Sequence, residues 1–404
     1  MSGIAGIIHF DGRPVEPGQV EAMTAAMHYR GPDGINHWRR GNVALGQCML
    51  RTTPESLEEN QPLTNEDESL VLVMDGRVDN WEELRRELLG RGAVLRTRAD
   101  AELVLRAYEV WGRDCLHHVD GDFALVIWDA RRQEAFCARD RIGNKPFHYQ
   151  WSGTTLVFAS ELHPILGLPW VGEVPNDGML VEFLADEFYT VDETLWKGVL
   201  RLAPAHEMSV VASRDARPIR YWEPDVKATL PFVKDEQYFE HYRHLLIDSV
   251  RRLSRSHLPL ACEVSGGLDS SALFCVAKHL FNAGTLRAPG VEGLTLVFDE
   301  GTEANELTYA RIVATYLGVN IQEVPAALPP LAWYQKQARE WRDFPGLPNG
   351  AMSQHLFSRV ADMGVRVLFN GVGGDEWLSG SRVYYAEELS RWDIGALFKH
   401  LKAD

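Results

Sequence analysis

The stretch Ser265-Gly266-Gly267-Leu268-Asp269-Ser270-Ser271 lies between the apolar segment 260–264 and a helical pattern over residues 270–283. Glycines let a backbone approach an anion closely, and serine hydroxyls and amides at a helix start donate hydrogen bonds to phosphate oxygens. The helix dipole also favours negative charge at this place. The carboxylate of Asp269 would repel a bare phosphate, so its presence indicates a bridging Mg²⁺. The stretch therefore predicts a strand–loop–helix unit that binds the phosphates of a nucleotide.

The stretch differs from two common motifs that are built on glycine and serine. A Walker loop requires Gly-Lys followed by Ser or Thr, and the chain has no such sequence. A nucleophile elbow requires glycine two residues before its serine, where this chain has Glu263. The remaining alternative is a plain glycine–serine turn with no ligand.

The region around this stretch alternates between short apolar segments and helical patterns, which predicts a parallel, doubly wound sheet. In such sheets, ligands bind at the carboxyl ends of the strands. Strands are predicted at 260–264, 293–298, 321–324 and 365–370, and helices at 236–255, 270–283, 304–317 and 353–363.

A second glycine-rich stretch, Asn370-Gly371-Val372-Gly373-Gly374-Asp375-Glu376, follows the last of these strands. In a parallel sheet this stretch can lie beside the first loop. Asp269 and Asp375 would then hold one Mg²⁺ against a triphosphate. A glycine-rich turn with two acidic residues is a weak signal alone and a strong one beside the first loop.

The N-terminal part has a different pattern, which predicts a layered α+β domain. Strands are predicted at 3–10, 71–74, 123–128, 134–138 and 155–159, with a helix capped by Asn80 and Glu83. Proline and charged residues are frequent at about 204–231. The predicted domains are residues 1–210 and 236–404, joined by a linker over 211–235.

Composition limits the classes of protein that fit. The 404 residues are too many for one ordinary core, and the net charge of −16 disfavours nonspecific binding to nucleic acid or anionic membranes. Five scattered cysteines without a Cys-x-x-Cys pair predict reduced, buried thiols and a cytoplasmic protein. We find no signal-peptide pattern and no apolar run of about 20 residues that could span a membrane.

Both loops resemble those of the asparagine synthetase superfamily, and the N-terminal half is similar to that family's class II glutamine amidotransferase domain. The N-terminal segments that carry the resemblance occur in the family order. They are Gly3-Ile4-Ala5-Gly6-Ile7, Tyr29-Arg30-Gly31-Pro32-Asp33-Gly34, Gln61-Pro62-Leu63, Asp75-Gly76-Arg77-Val78-Asp79-Asn80, Gly121-Asp122-Phe123-Ala124, Ala138-Arg139-Asp140-Arg141-Ile142-Gly143 and Phe158-Ala159-Ser160-Glu161.

The resemblance implies an α/β protein with two domains. The first would be an α-β-β-α sandwich of the Ntn-hydrolase type, and the second a Rossmann-like ATP pyrophosphatase domain with a parallel sheet. The family's second domain continues past the position of Asp404, so the resemblance implies a fragment or a protein completed by another polypeptide.

The resemblance also assigns roles in the second domain, with ATP and Mg²⁺ as the implied cofactors. Each role belongs to a set of residues in the two loops and beside them. Pyrophosphate would bind to Ser265, Gly266, Gly267, Ser270 and Ser271, adenosine would lie beside Val264, Phe298, Asn370 and Gly371, and Mg²⁺ would bind to Asp269 and Asp375.

In that family the first domain hydrolyses glutamine with an N-terminal cysteine, whose own α-amine acts as the base. The resemblance gives Arg51 the glutamine carboxylate and Asp100 its amine. Two catalytic positions differ: Ser2 replaces the cysteine, and Asp75 replaces the oxyanion-hole asparagine beside Gly76. Serine is a poorer nucleophile than cysteine, although removal of Met1 would still give Ser2 the free α-amine that an N-terminal nucleophile needs. Losing one oxyanion donor typically costs ~100- to 1,000-fold in rate, so we expect an inactive glutaminase.

The pattern resembles the branches that use an amine substrate in place of ammonia, namely the lasso-peptide macrolactam cyclases and beta-lactam synthetase. Val372 in the second loop favours the cyclases. The expected reaction is AMP-forming coupling of a carboxylate to an amine. The substrate would carry a carboxylate, as in a precursor peptide, and a leader peptidase and a peptide-binding protein would be partners. A glutamine-hydrolysing asparagine synthetase and a non-catalytic ATP-binding scaffold are the alternatives.

Overall fold

A computed structural model describes residues 1–212, 214, 216–302, 304–344, 351–378 and 383–403. They form two compact units. The first unit consists of Met1–His244, Arg255–His257 and Leu328–Met352, and the second of Leu245–Ser254, Leu258–Ala327 and Ser353–Asp404. The segments 255–257 and 328–352, which the sequence places in the nucleotide-binding part, therefore belong to the first unit.

The first unit contains two antiparallel sheets. One has the strand order β10-β8-β9-β1-β3-β2 and the other β12-β11-β7-β6-β5-β4, where the strands are β1 (Gly3–His9), β2 (Ile35–Arg40), β3 (Val43–Cys48), β4 (Leu63–Thr64), β5 (Leu70–Val78), β6 (Gly121–Asp129), β7 (Glu134–Arg139), β8 (His148–Trp151), β9 (Thr155–Ala159), β10 (Leu200–Arg201), β11 (His206–Val211) and β12 (Ile219–Arg220).

Alternate side chains of β5 enter different cores, as the period of a strand requires. Leu72 and Met74 pack in the core shared with helices α2 (Trp81–Gly90) and α3 (Asp100–Trp111). Val73, on the opposite face, packs in the core between the two sheets.

The outer face of the other sheet packs on α1 (Gln19–Ala26) and α4 (Leu162–Leu166), through side chains that include Ile7 of β1. The order of layers is therefore α-β-β-α, which confirms the predicted fold of this part.

The predicted side-chain cap of α2 is wrong. Asn80 is the N-cap residue, but its side chain makes no hydrogen bond to the helix. Its amide nitrogen donates to the carbonyl oxygen of His118 at 2.9 Å, and its amide oxygen accepts the Asp120 N–H at 2.9 Å. Because Asn80 binds the segment that leads into β6, its side chain is not available to the first turn of α2.

The second unit contains a four-stranded parallel sheet in the order β15-β14-β13-β16. In chain order, the remaining elements are α5 (Asp177–Ala185), α6 (Asp235–Leu253), β13 (Leu260–Glu263), α7 (Leu268–Asn282), β14 (Val291–Val297), α8 (Leu307–Leu317), β15 (Ile321–Pro325), α9 (Leu331–Trp341), the helix Gln354–Asp362, β16 (Val367–Phe369), and the helices Gly374–Leu378, Val383–Ser390 and Ile394–Ala403. Of these, α5 and α9 lie in the first unit.

Both faces of this sheet are covered. Cys262 of β13 packs on Phe274 of α7, in a core on one face. Ala261, the preceding residue, packs with Leu356 of the helix Gln354–Asp362 on the other. The predicted doubly wound sheet is therefore confirmed, with strand ends shifted by one or two residues.

Two further expectations concern the cysteines and the lengths of the helices. All five cysteines are free, and Cys275 is half-buried while the other four are buried. Within the described ranges, every helix is too short or too polar to cross a membrane.

Candidate active site

Hydrogen bonds among its own serines hold the first loop, which joins β13 to α7. The Ser265 N–H donates to Ser270 Oγ at 3.1 Å, and the two hydroxyls lie 2.8 Å apart. The Gly267 N–H donates to Ser265 Oγ at 3.2 Å. Gly267 is the N-cap of α7, so Asp269 lies in the first turn. The amides of this turn lack intrahelical acceptors and are the donors that a phosphate can use.

Gly266 has to be glycine for two reasons. Its φ of +99° lies in the left-handed region, and a Cβ there would lie 2.5 Å from Tyr309 Cβ and 3.0 Å from the Ala310 nitrogen. The start of α8 therefore packs against the loop backbone, which leaves no room for a side chain.

The second loop lies directly against the first. A Cβ on Gly371 would lie 3.0 Å from the Ser270 nitrogen and 3.3 Å from Asp269 Cβ, and a Cβ on Gly374 would overlap the Asp269 carboxyl group. The Gly374 N–H donates to the Gly371 carbonyl at 3.1 Å, which closes the turn. Asp375 follows in the helix Gly374–Leu378 and is exposed. The structure thus brings Asp269 and the loop that carries Asp375 together.

Three of the four residues expected beside adenosine directly follow three neighbouring strands, and the fourth, Gly371, comes next after Asn370. Val264 follows β13, Phe298 follows β14 and Asn370 follows β16. The Val264 side chain is fully buried in the core, so only its backbone is placed to border a ligand. The Asn370 side-chain oxygen accepts the Val372 N–H at 3.3 Å and so supports the second loop.

The loops fit a phosphate with a shared metal ion. Ser271 Oγ is buried and has no hydrogen-bond partner among the described residues, and a buried polar atom of this kind is rare. Mg²⁺ commonly takes one or two carboxylates together with phosphate oxygens, which matches Asp269 and Asp375. Within the described ranges, no group of three or more His, Cys, Asp or Glu side chains is placed to hold a metal ion.

In the first unit, Ser2 begins the chain segment that leads into β1 and is almost fully buried. Its Oγ accepts the Leu50 N–H at 3.0 Å and lies 3.4 Å from the Leu50 carbonyl oxygen. The Ser2 carbonyl accepts a hydrogen bond from Arg30 at 2.9 Å. The hydroxyl is therefore held by the main chain of a neighbouring segment.

Asp75 lies in β5, opposite Ala124 of β6, and is 2% exposed. Its Oδ2 is 3.8 Å from an Arg30 nitrogen and has no hydrogen-bond partner among the described residues, and its Oδ1 is 3.9 Å from Lys145 Nζ. Burial raises the pKa of Asp75 above the usual aspartate range, because it outweighs the opposing charges of Lys145 and Arg30. Gly76 follows in β5 against the backbone of Asp122 and Phe123.

The two residues expected to grip glutamine both bind protein groups. Arg51 donates to the carbonyl oxygens of Asp33 and Ser56 at 3.0 Å and of Glu59 at 3.2 Å. Asp100 begins α3 and pairs with Arg255, a residue that the sequence did not mark as functional. At least three of the five Arg51 N–H groups are thus used by the main chain.

Comparison with known proteins agrees with these two units. Residues 1–222 match the family model described as a glutamine amidotransferase domain, and residues 241–403 match the one described as asparagine synthase. The chain belongs to the asparagine synthetase superfamily. Both loops, 265–271 and 370–376, lie within the part of the chain that matches the asparagine synthase model.

Three superfamily relatives illustrate the range of similarity. Asparagine synthetase [glutamine-hydrolyzing] 3 of Bacillus subtilis is 33% identical over 285 residues, which are 70% of this chain and 46% of the relative. Amidase chry2 of Gibberella zeae is 29% identical over 93% of this chain and 57% of its own. A putative asparagine synthetase [glutamine-hydrolyzing] of Mycobacterium bovis is 30% identical over 99% of this chain and 63% of the relative. The chain thus spans about half to two thirds of the length of these relatives.

Sequence reasoning missed the charged groups around Ser2 in this superfamily member. Arg30 donates to Glu161 at 2.7 Å as well as to the Ser2 carbonyl, and Lys145 lies near Asp75. Arg30 and Glu161 fall within segments that carry the family resemblance, which is the signal that could have marked them. Lys145 lies just beyond such a segment, and Arg255 lies in none.

Proposed function

We propose that this chain belongs to an ATP-dependent, AMP-forming amide ligase that activates a carboxylate and couples it to an amine. The observation that carries the proposal is the packing of Gly371 and Gly374 against Asp269. It joins two loops whose residue types suit pyrophosphate and Mg²⁺. The superfamily membership supports the same chemistry.

In the proposed reaction, a substrate carboxylate attacks the α-phosphate of ATP and pyrophosphate leaves. The first-turn amides of α7 and the hydroxyls of Ser265, Ser270 and Ser271 hold the pyrophosphate oxygens and offset the charge that develops on them. Mg²⁺ held by Asp269 and Asp375 would neutralise phosphate charge when bound. An amine then attacks the acyl-adenylate, the carbon–nitrogen bond forms and AMP leaves. Solvent takes up the proton that the amine nitrogen loses.

The first unit supports an amine substrate over ammonia from glutamine. Ser2 replaces the more nucleophilic cysteine, and its hydroxyl is bound by Leu50. The positions expected to bind glutamine are engaged by protein groups. We therefore propose macrolactam formation in a precursor peptide, with a leader peptidase and a peptide-binding protein as partners.

Isotope and mass analysis of the product distinguishes the two amine sources. A peptide with a free N-terminal amine and an internal Asp or Glu should give a product lighter by one water, without incorporation of ¹⁵N-ammonium. Incorporation of ¹⁵N would instead establish the asparagine synthetase function, which the names of several relatives favour. Ammonia release from glutamine that is lost in Ser2→Ala would contradict an inactive glutaminase.

A further inference from the structure

The carboxylate of Asp100 is fully engaged inside the first unit. Asp100 is 3% exposed, and its Oδ2 accepts the Val78 N–H at 3.0 Å. Arg255 donates to Oδ2 at 2.5 Å and to Oδ1 at 3.1 Å. Two parallel hydrogen bonds of this kind are the strong geometry for an arginine and a carboxylate.

The guanidinium of Arg255 is enclosed on several sides. Arg255 is 2% exposed, and the nitrogen that bonds Asp100 Oδ2 also donates to the Val78 carbonyl at 3.0 Å. Its other terminal nitrogen lies 3.5 Å from Glu55, and its central carbon lies 5.3 Å from the centre of the Trp81 ring. Such a buried cation is held by its partners, and removing it leaves the Asp100 charge uncompensated.

A guanidinium and an α-ammonium present the same chemistry to a carboxylate, because both are cations that donate N–H hydrogen bonds. The two cannot bind the same side of Asp100 together. Arg255 therefore competes with any free amino acid whose amine would pair with this carboxylate.

We infer that Arg255 is an internal occupant of the ammonium subsite in the first unit, so that the former glutamine pocket is closed by the protein's own side chain. The inference deepens the proposed function. It rests on that function in one respect, namely that Asp100 is the position that would bind the amine of glutamine. Arg51, the position expected to bind the glutamine carboxylate, likewise donates to protein groups, namely three main-chain carbonyls of the same unit.

The test compares the whole chain with the variants Arg255→Met, Arg255→Lys and Arg98→Met. Arg98 is the matched control, because it pairs with Glu58 at 2.6 Å in the same unit but is exposed. Isothermal titration with L-glutamine and thermal unfolding are measured for each protein. We expect Arg255→Met to melt lower than wild type, to bind L-glutamine at least about tenfold more tightly, and to regain melting temperature when L-glutamine is added.

Arg255→Lys should fall between wild type and Arg255→Met, since it keeps the charge but not the fork of two donors. Arg98→Met should match wild type in both measurements. Wild type binding L-glutamine as tightly as Arg255→Met would overturn the inference. An Arg255→Met variant that neither melts lower nor gains binding would do the same.

If Arg255→Met does not fold, the double variant Asp100→Asn with Arg255→Met removes both charges and should recover a melting temperature near that of wild type. A double variant that also fails to fold overturns the inference. Binding of L-glutamine to wild type as tight as that to Arg255→Met, without hydrolysis, rejects the inference alone, whereas hydrolysis by wild type also rejects the inactive glutaminase in the proposed function.

Discussion

Asp75 is a carboxylate on which burial and neighbouring cations act in opposite directions. Burial raises its pKa, whereas Lys145 and Arg30 lower it, and burial has the larger effect. The ionised form is thus disfavoured in the folded protein. The contribution of the Asp75 carboxyl to the stability of the folded protein is fully present below the pKa that it has in the unfolded chain. This contribution is lost as the pH rises through its pKa in the folded chain.

We therefore predict that Asp75→Asn stabilises the chain at pH 8, by on the order of 1 kcal/mol, and that the gain shrinks at pH 5. Asparagine does not titrate, so the difference between the two proteins should follow the ionisation of Asp75 alone. Melting temperatures at both pH values measure it. A variant less stable than wild type at pH 8 would mean that the ion pairs with Arg30 and Lys145 outweigh the cost of burial.

Glu59 should give a second pH dependence in the same unit. Burial raises its pKa to about 7, against the lowering effects of Gln61 and Arg51. The contribution of the Glu59 carboxyl to the stability of the folded protein is thus complete below about pH 4.5, its ordinary pKa, and is lost as the pH rises through about 7, its pKa in the folded protein.

We predict that Glu59→Gln unfolds at a higher denaturant concentration above pH 7, with a gain of at most about 3 kcal/mol. The gain should decline steadily toward pH 5. The exposed Glu292 gives the control Glu292→Gln, which should stay within about 0.5 kcal/mol of wild type because it is a surface substitution. A gain that is the same at pH 5 and pH 8 would point to packing at Glu59 and not to ionisation.

Among the structural elements, the two loops of the second unit depend on glycines for their contact. A Cβ at residue 374 would overlap the Asp269 carboxyl group. We predict that Gly374→Ala separates the loops and lowers pyrophosphate–ATP exchange by at least about 100-fold, a loss of about 2.7 kcal/mol of transition-state stabilisation.

The matched control is Gly290→Ala, because a Cβ there would meet Pro259 at an ordinary 3.5 Å. It should keep the exchange activity. Both variants should melt within a few degrees of wild type, since neither residue lies in the interior of a helix. Equal activity in Gly374→Ala and wild type would show that close packing of the loops is not required.

The loop elements and the site contacts differ in how far the sequence predicts them. Strand–loop–helix order and the pairing of the two loops follow from local apolar patterns and parallel-sheet topology, and these predictions hold. Asn80 was predicted to cap α2, but a loop 38 residues away binds its side chain. Arg255 and Asp100 are 155 positions apart, and no local pattern marks their pairing. Contacts of this kind depend on the tertiary fold and not on periodicity.

Across the molecule as a whole, we assign the chemistry to the second unit and a closed glutamine site to the first. The first unit has the superfamily layers but lacks the cysteine at residue 2. The second unit has both loops in contact. The combination predicts a ligase that depends on ATP and is indifferent to glutamine.

The proposed metal site would depend on residues from two separate segments of the second unit. We predict that ATP binding requires Mg²⁺ and fails in both Asp269→Asn and Asp375→Asn, since each variant removes one of two carboxylates that would share the ion. Equilibrium binding of ATP with and without Mg²⁺ measures this. Unchanged ATP affinity in both variants would reject the shared metal site.

The nucleotide product distinguishes an AMP-forming ligase from other ATP-using enzymes. Purified protein is incubated with Mg·ATP labelled at the α-phosphate and with a peptide that carries a free amine and an internal carboxylate. We expect AMP and pyrophosphate, formed only when the carboxylate is present, because the carboxylate is the nucleophile at the α-phosphate. Formation of ADP and phosphate would contradict the proposed ligase.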